Sequence, residues 1–440
     1  MSRKGAWRGR AAGRGKTRSQ STPQRGPFEH AVNALEEVLR FAAPADAVLA
    51  RYFREHRELG QRDRAFVAEN VFAVLRRLRG LGSLAGASAS ARELLLLCLS
   101  GQEEEADLLA SIASADELAW LESLKNSPPT EQSLAERVDW PDWLLERLQP
   151  EFDEAGLLAL AQALNRPAPL DLRVNIARSG REAVLAALRA DGLEVQPCRL
   201  SPHGLRLEGK PALQQHPLFL SGEIEVQDEG SQLLAFLVQP RRGELVVDFC
   251  AGAGGKTLHL GAMMRSSGRL YAFDVSERRL SRLRPRAERA GLTNVHPALI
   301  AHERDARVKR LHGKADRVLV DVPCSGLGTL RRSPDLKWRQ TPATVAEMRA
   351  LQASILDAAA ALLRPGGRLV YATCSLLREE NEDIVEAFAA ANPQFREVDA
   401  GELLRKQGVE IDAGPCLRLW PHQHGTDGFF AAVFERVEDA

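Results

Sequence analysis

From Ile224 onward the chain alternates between short runs rich in Val, Leu and aromatic residues and longer helical stretches, with glycines or turn residues at the joints. The runs ELVVDFC, GRLYAFDVS, VHPALI, DRVLVDVPC and RLVYATCS read as strands, and stretches such as ERRLSRLRPRAERAG and TVAEMRALQASILDAAAALLRPGG as the helices between them. This alternation predicts a doubly wound parallel α/β sheet with helices on both faces. Two late strands, CLRLWP and GFFAAVFERV, close the chain. Ligands of such sheets bind beyond the carboxyl ends of the strands. Chemically capable residues stand at those ends: Asp248 and Cys250, Asp274, Asp321 and Cys324, Thr373 and Cys374.

Upstream the pattern differs. Residues 28–126 carry apolar residues three and four apart, as in HAVNALEEVLRFA and RDRAFVAENVFAVLRRLRG, which predicts an all-α bundle. Arg62, Arg64, Arg76, Arg77 and Arg79 gather on two of its helices, either as a solvated face or as an RNA face. Residues 127–220 open with a linker, where Pro128 and Pro129 stop helix continuation, and go on to a small α/β segment. Residues 221–440 are then expected to form the α/β domain that carries these strand-end residues. Residues 1–27 hold eight Lys or Arg and no acid, the composition of a disordered basic arm.

Lys plus Arg and Asp plus Glu balance at 59 each, so any nucleic-acid surface has to be local. The six cysteines show no CxxC pairing, which argues against a disulfide framework or a zinc module and for a reducing, cytoplasmic setting. The apolar run ELLLLCLSG is too short to cross a bilayer. His422 and His424 lack a third ligand nearby and make a poor zinc site. A monomer without metal or membrane contact is expected.

The turn CAGAGGKT, after the first of the regular strands, ends like a phosphate-binding loop. That motif needs a glycine five residues before Gly255, and Cys250 stands there. A dinucleotide fingerprint is also out of register, so a nucleoside cofactor is expected, with S-adenosyl-L-methionine the common one. Asp274, about twenty residues further on, is placed to accept hydrogen bonds from ribose hydroxyls. Asp305 follows the next strand and could bond the adenine.

A cysteine in a cofactor cleft is useful when the reaction needs a nucleophile. Carbon 5 of a pyrimidine is such a case, because thiolate addition at carbon 6 makes carbon 5 an enamine carbon able to take a methyl group. The thiolate needs nearby positive charge, for which the sulfonium, Arg331, Arg332 and Lys337 are candidates. Asp321, protonated or hydrogen-bonded at ring nitrogen 3, would relieve the charge that builds up on addition. Trp338 either stacks on a base or anchors its loop.

Together DFCAGAGGKT, AFD, DVPCSGLGTLRRSPDLKW, YATCS followed by EEN, and DGFF resemble the Sun (Fmu) family of RNA cytosine-5 methyltransferases, most closely its bacterial small-subunit ribosomal RNA branch. The resemblance covers nearly the whole chain after residue 27 and implies a NusB-like helical domain before a Rossmann-like catalytic domain. It also implies that Cys374 is the nucleophile and that Cys324 assists product release. S-adenosyl-L-methionine would be held by Cys250, Ala251, Gly252, Ala253, Gly254, Gly255 and Lys256, with Asp274, Asp305 and Asp321. Small-subunit ribosomal RNA is the implied partner. Transfer RNA, or a decayed, merely RNA-binding domain, are the alternatives. The chain departs from the family at Gly252-Ala253, where Ala-Pro is usual, and before Asp305, where a glycine is usual.

Overall fold

The computed structural model describes residues 25–86, 88–102, 105–126 and 132–438. Most of the basic arm expected over 1–27 lies outside the described residues, and Arg25 already belongs to the helix Arg25–Val38. Two compact units are present.

One unit is helical. It takes in the described residues up to Pro167 and, from far along the chain, Thr329–Pro342. Its core contains Phe28, Leu35, Val67, Val71, Leu75, Leu95 and Leu99. Ser90 and Glu93 cap the helix Ala91–Ser100 reciprocally, which satisfies backbone donors that a helix start leaves free. The stretch expected to be a linker supplies the helix Leu134–Val138 and the fully buried Trp140, and the helix Asp142–Leu148 follows.

The inserted segment completes two helix ends of this unit. Asp335 Oδ2 accepts from Ala45 N at 3.1 Å, at the start of a helix whose preceding Pro44 has no side chain to cap it. Lys337 Nζ donates to the Arg76 carbonyl at 2.7 Å and Trp338 Nε1 to the Leu75 carbonyl at 2.8 Å. Lys337 is therefore buried among the helices, and burial pushes its ammonium down to about 7. Trp338 is the anchor of its loop.

The other unit holds two sheets. The smaller is antiparallel in the order β2-β3-β1-β4, with β1 Leu170–Val174, β2 Val195–Pro197, β3 Gly204–Leu207 and β4 Ile224–Val226. Leu172, Val174, Leu205 and Ile224 pack with Val184 and Leu188 of the helix Arg181–Ala190. β4 pairs with β1, so this sheet continues past residue 220, where the catalytic domain was expected to begin.

The larger sheet is built from β5 Leu245–Asp248, β6 Arg269–Asp274, β7 Val295–Leu299, β8 Ala315–Asp321, β9 Leu363–Thr373, β10 Phe395–Val398, β11 Leu417–Leu419 and β12 Phe429–Arg436. Its order is β10-β12-β9-β8-β5-β6-β7, with β11 on β12. β9, β8, β5, β6 and β7 run parallel. β12 runs antiparallel to β9, β10 and β11, so the sheet is mixed rather than wholly parallel. This Rossmann-like arrangement places β5 in the middle and sends the chain to opposite sides for β6 and β8. The crevice at that reversal is where such sheets take ligands. No described helix is long and apolar enough to cross a membrane.

Candidate active site

A cavity of about 610 Å³ opens at the carboxyl ends of the parallel strands. Cys250, Ala251, Gly252, Ala253, Gly255, Lys256, Asp274, Asp321, Cys324 and Cys374 all line it. Gly254 sits behind them as the N-cap of the helix Gly255–Met263. Asp305 does not line the cavity. It caps the short helix Ala306–Lys309, taking the Ala301 and Arg307 N–H groups at 2.9 and 2.8 Å, and those bonds hold its carboxyl below the usual range. The acid that faces the cavity from this loop is Glu303, whose Oε1 accepts from Ser354 Oγ at 2.8 Å. HERDARV offers both acids two residues apart, and its pattern alone did not separate them.

Asp274 ends β6 beneath the glycine turn. It accepts the Gly252 and Ser276 N–H groups at 2.8 and 2.7 Å and pairs with Arg279 at 2.9 Å. A carboxylate has about four lone-pair sites, so roughly one remains for a hydroxyl.

Asp248 ends β5 and is buried. Thr257 Oγ1 donates to its Oδ2 at 2.7 Å, while Oδ1 has no partner among the described residues. Burial, with Asp321 nearby, pushes this carboxyl up to about 7. The folded state thus keeps a proton that the unfolded chain releases near pH 4, so the contribution to stability is complete at low pH and is lost as pH rises towards 7. Asp248→Asn mimics the neutral acid and should remove that slope. Urea unfolding between pH 4 and 7 should show the wild type losing ground to the variant by up to ~1.4 kcal/mol per pH unit. Parallel curves would refute a protonated Asp248.

Lys256 Nζ binds Asp321 Oδ2 at 2.7 Å across the cavity floor, with the Phe429 ring 5.5 Å away. Burial opposes the lysine charge, but Asp321 and Cys374 outweigh it and hold the ammonium above its ordinary value. Lys256 is therefore the cation beside Cys374. Lys337, one of the residues expected in that role, is enclosed in the helical unit instead.

The two cysteine sulfurs lie 3.4 Å apart, on loops that leave the neighbouring strands β8 and β9. Contact with Cys374 and burial, with Glu380 nearby, push the Cys324 thiol well up and keep it neutral. The loops are fastened together by backbone and by one acid. Gly328 N donates to the Cys374 carbonyl at 2.8 Å, and a Cβ on Gly328 would come within 2.2 Å of the Gly428 carbonyl, so only glycine fits there. Glu380, fully buried, accepts Ser325 N at 2.8 Å, Gln352 Nε2 at 2.9 Å, and the Ser325 and Ser375 hydroxyls at 2.5 Å each. Those four donors occupy all its lone pairs and tie the residue after Cys324 to the residue after Cys374. Asn381 accepts Thr373 Oγ1 at 2.6 Å and donates to the Ser375 carbonyl at 3.2 Å. Reading the EEN motif as position-holding, rather than only as a family mark, would have found both residues.

Residues 235–435 match the family model described as 16S rRNA methyltransferase RsmB/F, and residues 140–214 match an RsmF/B-like ferredoxin-like domain. The chain is 39% identical over 311 residues to the probable ribosomal RNA small subunit methyltransferase B of Synechocystis sp., covering 69% of this chain and 68% of that protein. The chain belongs to the RsmB/F family. Ribosomal RNA small subunit methyltransferase B of Pseudomonas syringae pv. tomato is 36% identical, over 68% of this chain and 66% of that protein. The alignments therefore span about two thirds of these relatives. In fold, the crystal structure of PH0851 is similar at a TM-score of 0.76 and 25% identity, covering 95% of this chain and all of that one. NSun6 from Pyrococcus horikoshii, solved with SFG, an analogue of S-adenosyl-L-methionine, has a TM-score of 0.60 at 22% identity over 68% of this chain and 99% of that one. The RsmB/F chain is thus an S-adenosyl-L-methionine-dependent RNA methyltransferase. Its cavity fits that cofactor: a glycine turn, a helix N-terminus suited to a carboxylate, an acid for hydroxyls and a buried oxygen of Asp248 awaiting a donor.

Proposed function

We propose that the protein methylates carbon 5 of a cytosine in small-subunit ribosomal RNA through a covalent adduct with Cys374. The observation that carries this reading is the pair of sulfurs 3.4 Å apart in the cofactor cavity. Methyl transfer to a nitrogen or oxygen needs no thiol, because those atoms already carry a nucleophilic lone pair. Carbon 5 of cytosine needs prior activation at carbon 6 and elimination afterwards, which gives two sulfurs two tasks.

Bound S-adenosyl-L-methionine supplies an electrophilic methyl group on a sulfonium. Cys250 to Lys256 with Asp274 would hold it, and Glu303 takes the place near the cavity first expected for Asp305. Cys374 adds to carbon 6, assisted by the Lys256 charge. The carbon 5–carbon 6 π pair shifts to carbon 4–carbon 5 and the carbon 4–nitrogen 3 pair onto nitrogen 3, which takes a proton from water, and Asp321 accepts a hydrogen bond from the resulting N–H. After methylation, water takes the carbon 5 proton, the pair of that C–H bond re-forms the carbon 5–carbon 6 double bond as the carbon 6–sulfur bond to Cys374 breaks, and nitrogen 3 returns its proton to water. The neutral Cys324 thiol donates a hydrogen bond to the departing sulfur, easing release.

The helical unit is read as NusB-like and RNA-binding, supported by its all-helical build and by the exposed Arg62 and Arg77. Ribosomal RNA is favoured over transfer RNA by the names of the relatives above. The test uses RNA tritiated at cytosine carbon 5. Release of one tritium per methyl group is expected with unmodified small-subunit ribosomal RNA and not with transfer RNA. Methyl incorporation without tritium release would exclude carbon 5, and release from transfer RNA alone would move the substrate.

A further inference from the structure

The turn Ala251 to Gly254 is closed by Gly254 N donating to the Ala251 carbonyl at 2.9 Å, with Gly252 at φ +57° and Ala253 at an ordinary negative φ. That is the backbone of a turn with glycine at its first central position. Two arginines reach its carbonyls from behind. Arg286 Nη1 donates to the Ala253 carbonyl at 2.5 Å, and Arg173 Nη1 to the Gly255 carbonyl at 2.6 Å. Each is held in turn by the end of the small sheet. Arg286 pairs with Glu225 on β4 at 3.0 Å, and Arg173, from the facing position on β1, binds Gln227 just beyond β4.

We propose that Arg286, with Arg173, is a positioning residue for the cofactor: Arg286 keeps the turn closed, and Arg173 fixes the peptide plane that aims the Lys256 N–H at the cavity. A peptide unit is planar, so holding the Ala253 carbonyl keeps the Gly254 N–H on the Ala251 carbonyl, and holding the Gly255 carbonyl directs the Lys256 N–H the opposite way. The Lys256 N–H belongs to the first turn of its helix, one of the donors free for an anionic group. The arginines supply from the small sheet the rigidity that a proline at residue 253 would build into the turn itself. The cofactor loop of this chain is therefore set by the small sheet.

The experiment is titration calorimetry of the full-length protein with S-adenosyl-L-methionine, with thermal unfolding as the folding control. Arg286→Ala should weaken binding about tenfold, as expected for loss of one charge-assisted bond. Adding Ala253→Pro, which keeps φ negative as it already is at residue 253, should bring affinity back to within about threefold of wild type. Arg286→Lys keeps the ion pair with Glu225 while losing the two-pronged bridge, and serves under the same rescue criterion if the alanine variant unfolds. Unchanged affinity in the Arg286 variants, or no recovery on adding the proline, would overturn the proposal. Because only cofactor binding is read, the outcome is independent of which RNA atom is methylated.

Discussion

Replacing Cys374 with alanine is expected to lower methyl transfer on the order of 10⁴-fold or more, the scale seen when a covalent nucleophile is removed. Replacing Cys324 should leave addition intact and slow elimination, so that a protein–RNA species resistant to denaturing electrophoresis accumulates. The asymmetry follows from the site: Lys256 and Cys374 line the same cavity, while contact and burial push the Cys324 thiol up and keep it neutral. An adduct trapped by Cys374→Ala, with activity surviving, would mean the two roles are exchanged. Loss of both adduct and activity in Cys324→Ala would give Cys324 a share in addition.

Glu380→Ala should be the most destabilising single change in the catalytic unit, at roughly 3–5 kcal/mol. It removes the acceptor of Ser325 N, of two buried hydroxyls and of one Gln352 amide hydrogen, leaving Gln352 its bond to the Pro323 carbonyl and the hydroxyls their bond to each other. Glu380→Gln keeps the volume and one acceptor oxygen and should fall between. Urea unfolding followed by tryptophan fluorescence gives the comparison. A loss within about 0.5 kcal/mol, typical of surface substitutions, would show that the two cysteine loops are held by backbone contacts alone.

Most of the parallel half of the large sheet was legible because β5, β6, β8 and β9 are largely buried and preceded by or contain glycine, whereas the edge strand β7 has no buried residue. β10, at the sheet edge, is short and carries Arg396 and Glu397 on its exposed positions, so it passed for a loop. Strand direction has no periodicity, which is why the antiparallel course of β12 did not show. β4 has three residues and was read into the regular alternation that follows it. At the site, residues bound to a strand end or a glycine turn were legible, since position alone brings them to the crevice. Residues whose role comes from long-range pairing were not. Lys256 meets Asp321 from 65 residues away, and Glu380 joins Ser325 to Ser375 from 55 and 5 residues away. Lys337 misled because its charge suggested an active-site loop, while its burial lies within the helices.

The insertion of Thr329–Pro342 in the helical unit also sets an order of events during synthesis. Protein chains emerge from the ribosome N-terminus first, and Trp338 follows Pro167 by roughly 170 residues, or about 10–30 s at typical elongation rates. Over that interval the N–H of Ala45 and the carbonyls of Leu75 and Arg76 await partners that have not yet been made. β5, β6, β7 and β8 leave the ribosome before the unit encoded ahead of them can be finished. The first part of the protein to be synthesised is thus not the first to be completed.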